Sequence, residues 1–123
     1  MKNRVAAIVL ILLSFVLWNC EKETLPSEKS GQTITLKNSN EYRLDLKISG
    51  DEEGATITEQ AKHFSKSELL RNESTNWSVV YVYQPESNFT GIDSVEIETC
   101  TGGDGGEIPC STELIKLKFQ VED

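Results

Sequence analysis

The side chains able to do covalent, redox or metal chemistry in these 123 residues are few: Cys20, Cys100, Cys110, the single histidine His63, and carboxylates in two clusters. One histidine cannot support a hydrolytic triad whose base is chosen among several imidazoles, a facial metal triad or a zinc finger. Ser94 follows Asp93, but no Gly-x-Ser-x-Gly elbow is present and no base has sequence support. Paired-carboxylate hydrolysis needs a cleft that a chain of this size hardly builds. The clusters Asp51-Glu52-Glu53 and Asp104 with Glu107 could offer oxygen ligands to calcium. Neither has the alternating acidic spacing of a calcium loop, so both read as solvated turns. The expectation is no catalytic residue, no metal site and no cofactor.

Cys20 stands in a distinctive context. Lys2 and Arg4 precede an apolar run from Val5 to Trp18 that only Ser14 interrupts. That run is shorter than the ~20 residues a stable membrane-spanning helix needs. Leu17-Trp18-Asn19-Cys20 closes it, and the whole resembles a bacterial lipoprotein signal peptide ending in a lipobox. The resemblance implies a signal peptide over 1–19 and a Cys20 acylated as the new N-terminus, hence a membrane partner through a lipid anchor. Trp18 and Asn19 are bulkier than the small residues that usually precede the cleaved bond. Two alternatives use the same residues: a signal peptide cut near Asn19 that leaves Cys20 free, or an uncleaved N-terminal anchor. All three place the rest of the chain outside the cytoplasm.

Removing 1–19 leaves the 104 residues from Cys20 to Asp123, enough for one domain with one modest core. It also takes the formal charge from −8 to −10, since 20 acidic residues then face 10 basic ones. Such a balance argues against nucleic acid and against anionic headgroups as partners. With Cys20 lipidated, Cys100 and Cys110 are the remaining thiols, and an oxidising envelope is expected to join them as a structural disulfide. Their spacing fits neither a Cys-x-x-Cys redox pair nor a zinc ribbon.

Glu21 to Gly31 is charged, nearly free of apolar residues, and contains Pro26 and Gly31, so 20–31 reads as a flexible tether. Extended, it reaches ~35 Å. Glu21-Lys22-Glu23 resembles export signals that carry some lipoproteins to the outer face of the outer membrane; a solvated linker accounts for the same residues. From position 32 to 123 the hydrophobic period is mostly two. Ile34 and Leu36 alternate with polar residues, and Tyr42, Leu44, Leu46 and Ile48 alternate with Arg43, Asp45 and Lys47 as one half-buried strand. Ala55 to Thr58 suggests a short strand. Glu59 to Glu73 is polar and poorly periodic, with a helical turn expected around Ser67 to Leu70. Trp77 to Tyr83 is apolar on both faces, as in a central strand, and Pro85 stops it. Val95, Ile97 and Thr99, then Ile115, Leu117, Phe119 and Val121, form the last two strands. Cys100 to Cys110, with five residues Gly-Gly-Asp-Gly-Gly inside, closes them as a hairpin. The reading is an antiparallel β-sandwich.

Tyr83-Gln-Pro-Glu-Ser-Asn-Phe-Thr-Gly-Ile-Asp-Ser94 resembles the strand-to-strand corner of bacterial Ig-like and cadherin-like tandem repeats, without a gap over 12 positions. Val95 and Ile97 then stand where those repeats prefer aromatics, and Phe64 replaces the glycine of their His-Gly step. The resemblance implies an all-β, Ig-like antiparallel β-sandwich used for adhesion, display or spacing. Within the corner, Pro85 ends a strand, Phe89 plugs the open end, Gly91 permits a positive φ, and Asp93 or Ser94 accepts backbone N–H groups. These roles argue fold rather than function. Asn72, Asn76 and Asn88 head N-glycosylation sequons that a bacterial envelope does not use, and Asp93-Ser94-Val95 resembles an O-glycan acceptor but falls inside the fold motif. The functional expectation is a non-catalytic outer-membrane lipoprotein whose domain is a binding, adhesion or scaffold module for a protein or glycan ligand at the cell surface. The alternative is a periplasm-facing accessory or inhibitor protein acting through the loops of 59–73 or 100–110. Binding is sought in the loops at one end of the sandwich.

Overall fold

The computed structural model describes residues 33–123. The signal segment 1–19, lipidation at Cys20 and the tether 20–31 lie outside the described residues. Seven strands follow in order: β1 Thr33–Lys37, β2 Tyr42–Asp45, β3 Gly54–Glu59, β4 Phe64–Leu70, β5 Val80–Pro85, β6 Gly91–Thr101 and β7 Ser111–Glu122, with one short helical turn at Glu73–Thr75. They form a four-stranded sheet, β1-β7-β6-β3, and a three-stranded sheet, β2-β5-β4. The two sheets pack face to face as an all-β, Ig-like sandwich.

Alternation decides which side chains fill the space between the sheets. Val95, Ile97, Leu117, Phe119 and Val121 descend from one sheet, Tyr81 and Tyr83 from the other, and all are buried. Phe119 is the hinge of this packing: its ring stacks on Tyr83 at 4.0 Å between centroids and meets Tyr42 edge-on at 5.5 Å. Truncating it to alanine would cost about 3–5 kcal/mol. On the outer face of β5, Val82 is also fully buried, between its register partners Arg43 and Glu68.

Four local expectations are corrected. Ser67 to Leu70 is not a helical turn but part of β4. The polar residue Ser67 occupies a core-facing position, which hides the alternation, and a bulge between Phe64 and Lys66 shifts it further. The strand expected over Tyr42 to Ile48 stops at Asp45, because its carboxylate accepts the Lys47 N–H at 2.8 Å and Lys47 takes φ 60°. Pairing resumes beyond, with Leu46 N–H donating to Val79 O and Val79 N–H to Ile48 O. Trp77 lies in the turn before β5, at φ 61° after Asn76 at φ 51°. Finally, β1 pairs with β7 in parallel, Thr33 opposite Lys118 through Lys37 opposite Glu122, in an otherwise antiparallel structure. A period of two carries no information on strand direction.

The register sets the two ends of the sandwich. Loops 46–53, 71–79 and 102–110 gather at one end, and loops 38–41, 60–63 and 86–90 at the other. The hairpin β6–β7 runs in register from Gly91 opposite Val121 to Thr101 opposite Ser111. Cys100 and Cys110 are bonded at its tip, with Cα atoms 5.3 Å apart. In the chain-entropy picture, closing so short a loop stabilises the fold by about 2–3 kcal/mol.

Candidate functional site

The corner Tyr83 to Ser94 closes the end formed by loops 60–63 and 86–90. Asp93, 4% exposed, is its centre. One carboxylate oxygen accepts the N–H groups of Lys62 and Ser94, both at 2.9 Å. The other accepts the His63 N–H at 2.9 Å and the Tyr83 hydroxyl at 3.0 Å. A buried carboxylate with four donors holds the β3–β4 turn, β5 and β6 together. Of the two acceptors considered, Asp93 fills the role; the Ser94 side chain is exposed and makes no hydrogen bond to another described residue. Pro85 is the last residue of β5 and is fully buried opposite Phe64. Phe89 packs half-buried against the core and stacks on the His63 imidazole at 4.3 Å. Gly91 has φ 133°, where a side chain would be strained.

Burial and the hydrogen bond to Asp93 push the Tyr83 phenol far above its ordinary value of 10. Tyr81 is raised to about 12, chiefly by burial, although its hydroxyl lies 2.7 Å from Ser67 Oγ. Ser67 in turn donates to Gln60 Oε1. His63 Nδ1 lies 3.8 Å from Glu86 in an exposed pair, and stacking on Phe89 already accounts for the ring's position. Among the described residues, no group of three or more His, Cys, Asp and Glu side chains is placed to hold a metal ion.

The opposite end is built differently. Arg71, at the exit of β4, spans two loops: its guanidinium donates to Gly50 O at 2.8 Å and to Glu53 O at 2.9 Å, while Nε donates to Trp77 O at 3.0 Å. Glu53 extends the tie to the third loop, accepting Gly102 N–H at 3.0 Å as well as Gly50 N–H at 3.2 Å. Asp104 accepts the N–H groups of Gly106 at 2.9 Å and Ile108 at 3.0 Å, and these bonds lower its carboxyl below the usual range. Of the five acidic residues considered as calcium ligands, Asp51, Glu52, Glu53, Asp104 and Glu107, Glu53 spends both carboxylate oxygens and Asp104 one of its two on loop backbone. Asn72 caps the short helical turn, accepting from Ser74 N–H.

This framework leaves large apolar side chains in solvent. Trp77 is 60% exposed and Ile108 is 59% exposed, on two of the three loops. An exposed tryptophan on a hydrogen-bonded turn, beside a disulfide-clamped loop, has the composition of an interaction surface: an amphipathic anchor on backbone that loses little entropy on binding. The sequence hid it, because Trp77 reads as the first residue of the apolar run 77–83. The cue was the turn-forming Asn72-Glu-Ser-Thr-Asn76 just before it. Arg71 carries no local signal at all, since its partners are carbonyls distant in sequence. No protein-family model matches this chain, and no curated protein matches it.

Proposed function

We propose that this protein is a non-catalytic, lipid-anchored envelope module that binds a macromolecular ligand through the end formed by loops 46–53, 71–79 and 102–110. The observation that carries the reading is the joining of three loops by Arg71 and Glu53 beneath an exposed Trp77. Rigid strands carrying ordered connections at one end are a general arrangement for recognition. The apolar run from Val5 to Trp18, closed by Leu17-Trp18-Asn19-Cys20, supports a lipid anchor and outer-membrane placement, with the domain facing outward as an adhesion or scaffold element for a protein or glycan. The formal charge of −8 disfavours nucleic acid and anionic lipid as ligands.

The test is retention of cells displaying the full chain on arrays of extracellular-matrix proteins and glycans, compared with cells displaying Trp77→Ala at equal surface density. The expected result is retention on at least one array element that Trp77→Ala reduces about tenfold or more. Equal retention of both, or none above cells lacking the protein, contradicts the proposed binding end.

A further inference from the structure

Strand β7 is twelve residues long, yet β1 pairs only with Lys118–Glu122. Ser111–Leu117 therefore has β6 on one side and, among the described residues, no strand on the other. Alternate N–H and C=O groups along about 23 Å of backbone face outward there. Across from this edge lies β2, itself the outer strand of the second sheet. Between them opens a groove of about 430 Å³ whose floor is apolar: Leu44, Leu46 and Ile48 on one wall, Ile115 and Leu117 on the other. Leu44, Leu46 and Ile115 are half-buried, so their apolar surface is incompletely covered.

We infer that this groove receives an extended segment of a partner protein, which adds to the β1-β7-β6-β3 sheet as a strand beside Ser111–Leu117 and drops alternate apolar side chains between the sheets. Backbone groups facing one way ask for a strand, and the groove volume asks for apolar residues at every second position. Charge narrows the partner further. Of the four charged side chains lining the groove, Asp45 pairs with Lys47 at 2.9 Å and Lys116 with Glu96 at 3.5 Å. Glu113 has no ion-pair partner among the described residues. A basic residue in the partner where it passes Glu113 completes the match. The sequence preceding β1 does not meet these demands, because Ser27-Glu28-Lys29-Ser30-Gly31-Gln32 has no apolar side chain. The groove shares Leu46, Lys47 and Ile48 with the loop 46–53 of the Trp77 end, but Trp77 itself does not line it.

The experiment uses the full chain in detergent, with amide exchange read residue by residue. The probe is an acetylated peptide of alternating valine and threonine flanked by lysines. A second peptide of the same sequence is N-methylated at alternate residues, so it keeps the side chains and loses the pairing N–H groups. In the free protein, edge-facing amides of Ser111–Leu117 are expected to exchange about tenfold or more faster than those of Lys118–Glu122, and the first peptide is expected to slow them about tenfold. Glu113→Lys and Ile115→Lys should each weaken peptide binding about tenfold, the first without touching a buried residue. Trp77→Ala should leave it unchanged. Protection already present without peptide overturns the proposal by showing the edge to be filled by the chain itself or by a second copy. Unchanged exchange at saturating peptide, or equal binding by the N-methylated peptide, also overturns it.

Discussion

The Tyr83 hydroxyl donates to the Asp93 carboxylate at 3.0 Å, linking the C-terminal half of β5 to the start of β6 across a buried polar centre. Asp93 also receives three backbone N–H groups. Replacement by asparagine keeps the shape but turns one acceptor into a donor, facing either the His63 N–H and Tyr83 hydroxyl together or the Lys62 and Ser94 N–H groups. Asp93→Asn is expected to destabilise the domain by about 3 kcal/mol, and Tyr83→Phe by about 2 kcal/mol, both read from denaturant midpoints. Equal stability of Asp93→Asn and wild type would show that the carboxylate does not hold this end.

Tyrosine ionisation supplies a pH test. Tyr42, Tyr81 and Tyr83 are the only tyrosines, and burial raises all three above 10, Tyr81 to about 12. A group whose folded pKa is raised contributes stability that is complete below the unfolded pKa and is lost as pH climbs towards the folded one. Stability should therefore be flat up to about pH 10 and fall from there towards pH 12. Ultraviolet difference absorbance should show tyrosinate appearing together with loss of β circular dichroism. A tyrosinate signal in the intact fold at pH 10 would mean that these phenols are not buried.

An acid-side counterpart exists at Asp45, whose carboxyl is lowered to about 2 by hydrogen bonds from Ser78 and Lys47. The depressed folded value places its contribution above the ordinary carboxylate value near 4, with loss as pH falls to about 2. Because the group is exposed, the effect should be small and confined to local opening around 45–48, visible as faster exchange of the Lys47 amide in acid relative to Asp45→Asn. No pH dependence of that difference would contradict it.

How much of this was legible beforehand varies with where the information resides. The strands carrying Val95 to Thr99 and Ile115 to Val121 were readable because apolar and polar residues alternate from Val95 to Glu98 and from Ile115 to Val121, with only the buried Thr99 departing from the pattern, and the glycine-rich link named the hairpin. The bond between Cys100 and Cys110 followed from counting thiols. Ser67 defeated the same method: a polar residue at a core position is tolerated only because Tyr81 and Gln60 satisfy it, and those partners lie elsewhere in the sequence. The parallel pairing of β1 and the reach of Arg71 were likewise invisible, since both depend on tertiary contacts that leave no local pattern.

The loop framework around Arg71 should respond to a charge-conserving change. A lysine ammonium cannot reach Gly50 O, Glu53 O and Trp77 O together as the guanidinium does. Arg71→Lys and Arg71→Ala are both expected to cost about 1–2 kcal/mol and to speed amide exchange in 46–53 and 71–79, whereas Trp77→Ala should change stability by less than about 0.5 kcal/mol. Slow exchange retained in Arg71→Ala would remove the guanidinium from the account of this end.

Removing the disulfide tests the clamp on the third loop. Cys100→Ser with Cys110→Ser is expected to lower stability by about 2–3 kcal/mol while leaving strand content unchanged, since β6 and β7 remain paired along their whole length. Loss of the fold, or no change in stability, would contradict a purely local clamp.

The most direct measurement is protease shaving of intact cells followed by fractionation, carried out on the full chain and on Cys20→Ala. A lipid-anchored module facing outward gives a wild-type protein that sediments with the outer membrane and is digested on whole cells, and a Cys20→Ala protein that leaves the membrane fraction. Membrane association undiminished in Cys20→Ala would contradict the lipid anchor, and resistance of the anchored wild type to shaving would contradict display at the cell surface.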